Sequence, residues 1–214
     1  MIVYGNSLSP FVRKTLAFAA EKGIEVELVA AGMGAGPPEF KLASPFGKMP
    51  GFKDGDFLLS DSTAIVTYLE AVKAEPNLIP AEPKARARTI WFEEFADTIV
   101  GACVGKVFFN RVVAKLIGRE ANLAEADEAQ AVEFPKLVDY LESVVPASGF
   151  LVEDRITLAD IAVASPFANL GHAGCPVNAS THPKAAAYVD AILARPSYAG
   201  IIAKERAMLS GRQA

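Results

Sequence analysis

Cysteine is scarce in this 214-residue chain, which holds only Cys103 and Cys175 and no Cys-x-x-Cys pair. So low a count excludes a disulfide framework and a cysteine-ligated zinc site. The two histidines, His172 and His182, do not have the spacing of metal ligands. We therefore predict no metal site, and we expect a reducing compartment, the cytoplasm, as the location of the protein.

An excess of positive charge and long apolar runs are also missing. The net charge of -4 leaves no basic surface of the kind that binds nucleic acid. No uncharged apolar stretch reaches membrane-spanning length, and the N-terminus lacks the basic and apolar regions of a signal peptide. Neither a nucleic acid nor a membrane is therefore an expected partner.

The first third of the chain alternates strand and helix signals. Residues 2–4 form a short apolar run that predicts a buried strand. Ser9 and Pro10 then open a helix, because serine is favoured at the N-cap and proline at the first helical position. Residues 24–28 alternate apolar and charged side chains, which predicts a second strand. This order indicates a parallel βαβ unit with a right-handed crossover.

Residues 44–65 (SPFGKMPGFKDGDFLLSDSTAI) predict a hairpin followed by a helix. The dipeptide Asp54-Gly55 is typical of a tight two-residue turn. Met49-Pro50 lies where the first hairpin strand begins, and its peptide bond is a candidate cis bond. Asp61 and Ser62 precede an apolar-periodic segment and so mark the start of a helix. A βαβ unit, a hairpin and a helix make up a thioredoxin-like fold, which we predict for residues 1–74.

The rest of the chain is predicted to be helical. Residues 75–83 are punctuated by proline and predict a linker. Beyond it we predict an all-α domain over residues 84–214. Its helices are expected at residues 84–117 (one long helix or a kinked pair), 125–145, 183–194 and 197–209, with a capping-box pattern at residues 157–160.

These motifs, in this order, resemble the cytosolic glutathione transferase family, most closely its serine-type (phi- or theta-like) bacterial members. In those relatives the central stretch is NPFGQVP, then DGD, then ESxAI; here it is SPFGKMP, DGD and DSTAI with the same spacing. The segment FLVEDRITLADI at residues 150–161 also resembles the family. The likeness covers nearly the whole chain. It implies the glutathione transferase fold, a homodimer, and a detoxification enzyme that conjugates glutathione to small apolar electrophiles.

The resemblance assigns the catalytic role to Ser9, in the motif SPF. A free cysteine thiol has a pKa near 8.5 and is mostly protonated at pH 7. A hydroxyl that donates a hydrogen bond to the sulfur, beside a helix N-terminus, favours the thiolate. The alternative is that Ser9 only caps the helix, and Ser7 is a second candidate hydroxyl. The first 74 residues contain no cysteine, which disfavours chemistry through a mixed disulfide with glutathione.

The resemblance also implies where glutathione, the co-substrate, binds. Ser62 and the N–H groups at the helix start suit the γ-glutamyl carboxylate. Asp61 suits the ammonium group, in place of the family's usual glutamate. The backbone of Met49, before Pro50, is expected to pair with the cysteinyl part of glutathione. Both Asp61 and Ser62 have a plainer explanation as helix-capping residues.

One position departs from the family pattern. Serine-type relatives place a basic or polar residue just before the short helix that follows the second strand, where it holds the glycine carboxylate of glutathione. Here the corresponding stretch is Gly34-Ala35-Gly36, which carries no charge. Lys41 or Lys48 is the expected replacement, although a surface lysine is usually only solvated.

Phe11, Phe108, Phe109 and Arg111 are candidate contacts for the electrophile. Aromatic side chains at helical spacing are more often core residues. The second substrate carries no motif, so two other functions stay open. One is a glutathione-dependent isomerase, dehalogenase or peroxidase, and the other is a non-catalytic module that reuses the fold.

Overall fold

A computed structural model describes residues 1–211 of the chain. The chain forms two compact units. The first comprises Met1–Ile79 together with the C-terminal helix, and the second comprises Pro80–Arg195. No helix in the described range is both long and apolar enough to cross a membrane.

The first unit is built on a four-stranded mixed sheet. Its strands are β1 (Ile2–Gly5), β2 (Glu27–Ala30), β3 (Gly51–Asp54) and β4 (Phe57–Ser60). Their spatial order is β2-β1-β3-β4. Strand β1 is parallel to β2 and antiparallel to β3, which is antiparallel to β4. A parallel βαβ unit extended by an antiparallel hairpin is the predicted thioredoxin-like arrangement.

Three helices flank the strands of the first unit, and two of them, α1 and α3, begin at the predicted start signals. They are α1 (Pro10–Glu21), α2 (Pro38–Ala43) and α3 (Ser62–Val72). Ser9 is the N-cap of α1 and Asp61 is the N-cap of α3. The predicted two-residue hairpin turn is present, but its loop residues are Gly55 and Asp56, because Asp54 pairs with Phe57. Gly55 adopts a φ of 57° at the first loop position, where glycine is favoured.

Strand β2 begins three residues later than its sequence pattern predicts. The alternation starts at Ile24, but the strand starts at Glu27. The N–H of Ile24 instead donates to the carbonyl of Ala19 at 2.8 Å, and Gly23 has a φ of 61°. Because these groups close the C-terminus of α1, Ile24 is not free to join the sheet.

A buried lysine fixes the segment that ends the first unit. The ammonium group of Lys22 lies 2.7 Å from Glu70 Oε2 and donates to the carbonyl of Pro76 at 2.7 Å. The other oxygen of Glu70 accepts hydrogen bonds from the backbone N–H groups of Leu78 and Ile79. The predicted linker is thus tied to α1 and α3 up to Ile79.

The second unit is entirely helical in the described structure. One continuous helical run contains α4 (Pro83–Glu94), α5 (Gly101–Phe108) and α6 (Ala114–Leu116), joined by the π-helical segments Phe95–Val100 and Phe109–Val113. A second run contains α7 (Leu123–Glu128), the π-helical segment Ala129–Glu133 and α8 (Phe134–Val144). The wider π turn directly precedes Pro135, which has no N–H to give to a regular helix.

The centre of the second unit is helix α9 (Leu158–His172), whose first thirteen residues are all buried. Its predicted capping box is present between Thr157 and Asp160. Helix α10 (Pro183–Leu193) follows and packs against α9 and α8. A helix buried on all sides is expected at the core of a helical domain.

The last helix, α11 (Pro196–Ser210), departs from the predicted domain division. The prediction assigned it to the helical domain, but it groups with the first unit. It packs against α1, where Ser197 Oγ donates to Glu21 Oε1 at 2.6 Å and Arg13 pairs with Glu205. These polar partners lie far apart in sequence, so no local pattern indicates that they meet.

Candidate active site

Three predicted site segments meet at one end of the sheet. In the strand register Tyr4 pairs with Gly51, and Gly51 pairs with Ser60. The end of β1, the start of β3 and the end of β4 therefore lie side by side. Ser9 follows the first of these, Met49 precedes the second, and Asp61 with Ser62 follows the third.

Ser9 caps α1 only weakly. Its Oγ accepts from the N–H of Val12 at 3.5 Å, beyond the usual range for a strong hydrogen bond. Its backbone is better fixed, since its N–H donates to the carbonyl of Asn6 at 2.9 Å. The side chain is half-exposed. The Ser9 hydroxyl is thus held in place by the backbone while its own proton remains available to a ligand.

The start of α1 also presents an unused donor. Within residues 1–211, the N–H of Phe11 takes part in no hydrogen bond. The first turn is pressed against β1, because a Cβ on Gly5 would lie 2.5 Å from Cγ2 of Val12. This close approach requires glycine, and it holds the positive end of the helix dipole beside Ser9.

Asp61 has an unusual backbone. It adopts a φ of 79° and a ψ of 127°, a conformation that a non-glycine residue rarely takes. Its Oδ1 accepts hydrogen bonds from the N–H groups of Thr63 at 2.9 Å and Ala64 at 3.0 Å. Asp61 therefore caps α3, in agreement with its simpler explanation as a capping residue. Asp61 is also exposed, so a ligand can reach its carboxylate.

Ser62 is the first residue of α3 and is 3% exposed. Across the described chain, neither its hydroxyl nor its backbone N–H is in a hydrogen bond. These two groups lie side by side at a helix start, and the hydroxyl is almost buried. They form a donor pair suited to a carboxylate. The structure thus leaves at Ser62 the groups that the sequence analysis assigned to the γ-glutamyl carboxylate.

Met49 and Pro50 lie beside the ladder between β1 and β3. Their peptide bond is cis. Among the described residues, neither the N–H nor the C=O of Met49 is in a hydrogen bond. These groups lie just before β3, outside its paired residues, where an extended ligand can bind as an added strand.

Neither candidate lysine is held in place. Lys41 lies in the last turn of α2 and is exposed, and the Lys48 side chain is exposed too. Only the carbonyl of Lys48 is engaged, as it accepts from Ser44 Oγ at 2.7 Å. Both amines are therefore solvated groups whose reach is set by flexible side chains.

The candidate electrophile contacts differ in their burial and in their own partners. Phe11 is half-buried at the start of α1, in the first unit, and Phe109 is half-buried in the second. Phe108 is 5% exposed and belongs to the core of the second unit, so its ring does not line an open site there. Arg111 binds Asp127 at 2.8 Å and the carbonyl of Ala173 at 3.3 Å, which gives its charge a structural partner.

Sequence reasoning missed two features of this region. Arg13 and Lys14 are both buried within the chain, although arginine and lysine are mostly exposed residues. Gly32, in the loop before α2, is buried beneath Met49, a contact that was not predicted. The clustering of glycines in residues 32–36 was the available signal, since glycine marks close approaches as well as turns.

Burial disfavours the thiolate form of both cysteines at neutral pH. Burial raises the pKa of Cys103 to about 11, and burial also raises the pKa of Cys175. Both are free thiols inside the second unit. Between Met1 and Gly211, no group of three or more His, Cys, Asp or Glu side chains is placed to hold a metal ion.

Comparison with known proteins identifies the family. The model for the glutathione S-transferase N-terminal domain matches residues 3–77, and that for the C-terminal domain matches residues 109–204. A glutathione S-transferase of Hyoscyamus muticus is 30% identical over 211 residues, 94% of this chain and 97% of that protein. The chain belongs to the glutathione S-transferase family. Glutathione S-transferase 3 of Zea mays is also 30% identical, over 94% of this chain and 92% of its own.

Solved structures of the same family share the fold. A glutathione S-transferase from Rhodospirillum rubrum F11 superposes with a TM-score of 0.85 at 24% identity, covering 94% of this chain and 90% of that one. Glutathione S-transferase III in its apo form gives 0.78 at 29% identity, covering 94% and 95%. The predicted fold class, family and transferase class are thereby confirmed.

Proposed function

We propose that this transferase is a serine-type, phi- or theta-like member in which Ser9 activates glutathione. The observation that carries the proposal is the weakly engaged Ser9 hydroxyl at the N-terminus of α1, beside the unpaired N–H of Phe11. A thiolate placed there accepts a hydrogen bond from the hydroxyl and lies at the positive end of the helix. Both effects lower the pKa of the bound thiol.

Glutathione binds along the end of the sheet in this proposal. The hydroxyl and N–H of Ser62 receive the γ-glutamyl carboxylate, and Asp61 pairs with the ammonium group. The backbone N–H and C=O of Met49, before Pro50, bind the cysteinyl unit as an added strand. Lys48 or Lys41 reaches the glycine carboxylate as a flexible point charge. One solved relative, glutathione S-transferase I, holds lactoylglutathione, a ligand of this chemical class.

The reaction is a nucleophilic attack by the bound thiolate. Its sulfur forms a carbon–sulfur bond with a small apolar electrophile, and the leaving group departs with the bonding electrons. The thiol proton is lost to solvent before the attack. Phe11, which is half-buried in the first turn of α1 close to Ser9, is the aromatic side chain proposed to contact the electrophile. The protein contributes orientation and thiolate stabilisation.

A comparison of two serine variants tests the role of Ser9. The pKa of bound glutathione is measured by titrating its thiolate absorbance in wild type, Ser9→Ala and Ser7→Ala. Loss of one charge-assisted hydrogen bond is expected to raise that pKa by about one to two units in Ser9→Ala. Conjugation of an aryl halide at neutral pH falls with it. The proposal fails if Ser9→Ala keeps the wild-type pKa, or if only Ser7→Ala changes it.

The proposal includes a homodimer. Phe46 is 90% exposed and Leu42 is 68% exposed, which places two large apolar side chains on the surface between α2 and β3. Large exposed apolar surfaces mark protein interfaces, and we propose that these two side chains belong to one. In sedimentation experiments Phe46→Asp is expected to yield monomers. Leu123→Asp, at a 56% exposed position of the second unit, serves as the control.

The cytoplasm remains the proposed location, supported by the two free cysteines.

A further inference from the structure

Gly32 lies in a tight turn between β2 and α2. Its N–H donates to the carbonyl of Ala35 at 2.8 Å, and the N–H of Ala35 donates back to the carbonyl of Gly32 at 3.0 Å. Gly32 is buried and adopts a φ of 111°, which residues with a side chain rarely take. The turn follows β2, whose end lies beside the end of β1 in the sheet register.

The side chain of Met49 lies directly on this glycine. A Cβ placed on Gly32 would be 2.2 Å from Sδ of Met49 and 2.8 Å from both its Cγ and its Cε. Because Cγ is next to the Met49 Cβ, turning the end of the side chain does not relieve this overlap. A side chain at position 32 therefore requires a change in χ1 of Met49 or a displacement of the backbone at position 49 or position 32.

We propose that Gly32 is a positioning residue for glutathione, an inference that rests on the proposed function. By leaving room for the Met49 side chain, Gly32 fixes the backbone of Met49 at the end of β3. The unpaired N–H and C=O of Met49 then keep the orientation in which an extended ligand adds to the sheet. The uncharged loop contributes to glutathione binding through this close approach, with no contact of its own to the ligand.

The inference predicts a binding defect from one added methyl group. Gly32→Ala is expected to raise KM for glutathione about tenfold, the effect of losing one to two net hydrogen bonds. The turnover number at saturating glutathione is expected to stay within about threefold, because Ser9 and α1 are untouched. Gly34→Ala is the matched control. Gly34 has a φ of 86° in the same loop, but a Cβ there meets nothing within 4 Å.

Repeating Gly32→Ala in a protein that also carries Met49→Ala separates the overlap with Met49 from general strain in the loop. Met49→Ala removes the atoms that a Cβ at position 32 would strike. In that background Gly32→Ala is expected to cause no further increase in KM, so the two effects are non-additive. The double variant also provides a measurement if Gly32→Ala alone proves too unstable to assay.

Two results would overturn the inference while leaving the proposed function intact. One is equal KM values for Gly32→Ala and Gly34→Ala in an enzyme whose wild type binds glutathione. The other is an increase in KM from Gly32→Ala that persists when Met49 is alanine. A wild-type protein that fails to bind glutathione in calorimetry instead removes the proposed function, and the positioning role with it.

Discussion

Arg13 and Glu205 form a buried, two-point ion pair between α1 and α11. Nε of Arg13 lies 3.0 Å from Oε1 of Glu205, and Nη2 lies 2.9 Å from Oε2. Both side chains are completely excluded from solvent. The fork of the guanidinium matches the carboxylate, which gives the pair a fixed geometry as well as charge compensation. Arg13 follows Ser9 by one helical turn, so the pair also anchors the helix that carries the proposed catalytic serine.

Breaking this pair on one side should destabilise the protein strongly. Glu205→Gln removes the carboxylate charge that faces the buried guanidinium of Arg13, and we expect the free energy of unfolding to fall by about 3–5 kcal/mol. Urea denaturation followed by circular dichroism measures the change. Replacing both partners, as in Arg13→Met with Glu205→Leu, is expected to cost less than the single change.

A surface pair provides the control for this experiment. Arg155 and Glu153 also form an ion pair, but both side chains are partly exposed. Removing it by Glu153→Gln is expected to change the free energy of unfolding by about 0–1 kcal/mol. A similar small loss for Glu205→Gln would show that the buried pair does not hold α11 against α1.

Local sequence patterns predicted the parts of the fold that local chemistry determines. The cap at Ser9, the turn at Gly55 and the capping box at Thr157 each depend on neighbours a few residues away. The partner of Arg13 is 192 residues distant, so nothing near it in the chain reveals that its charge is compensated. The late start of β2 has a similar cause. The N–H of Ile24 donates to the C-terminal turn of α1 and therefore does not bond to the sheet.

The candidate site likewise contains residues that a local motif predicts and contacts that no local motif predicts. Ser9, Met49 and Ser62 could be proposed from the sequence because each belongs to a motif that also sets the backbone. The contact between Gly32 and Met49 was not found, since it joins two loops and depends on the register of the sheet. The sequence also could not indicate that Arg111 is already paired with Asp127, which lies on another helix.

Substitutions of Asp61 are expected to separate its role in ligand binding from its role in helix capping. The variant Asp61→Asn retains an Oδ1 acceptor for Thr63 and Ala64, and asparagine tolerates the positive φ. Its stability should therefore match wild type. Binding of glutathione should weaken by about ten- to a hundredfold, because a charge-assisted hydrogen bond to the ammonium group is lost.

Asp61→Ala is the comparison for that variant. It removes both the cap and the charge, so we expect an additional loss of about 1 kcal/mol in the free energy of unfolding. Calorimetric titration with glutathione and thermal unfolding of the same samples report the two effects separately. If Asp61→Asn binds glutathione as wild type does, the residue serves only as a cap.

Asp160 is expected to make stability depend on pH. Burial raises the pKa of this carboxyl to about 6, although the N–H groups of Leu151 and Thr157 donate to it. Because the folded-state pKa lies above the unfolded value, the folded protein binds more protons between about pH 4 and 6. Lowering the pH from 7 to 5 should therefore stabilise wild type by about 1–1.5 kcal/mol relative to Asp160→Asn. Urea titrations at both pH values test this, and a constant difference between the two proteins would contradict it.

The buried cysteines are expected to resist alkylation. With a pKa of about 11, the Cys103 thiol is almost entirely protonated at pH 7.5, and the pKa of Cys175 is shifted in the same direction by burial. Iodoacetamide reacts with the thiolate, so native protein should remain unmodified while protein in urea gains two labels. Mass spectrometry counts the labels. Rapid labelling of native Cys103 would contradict the raised pKa and the burial of this thiol.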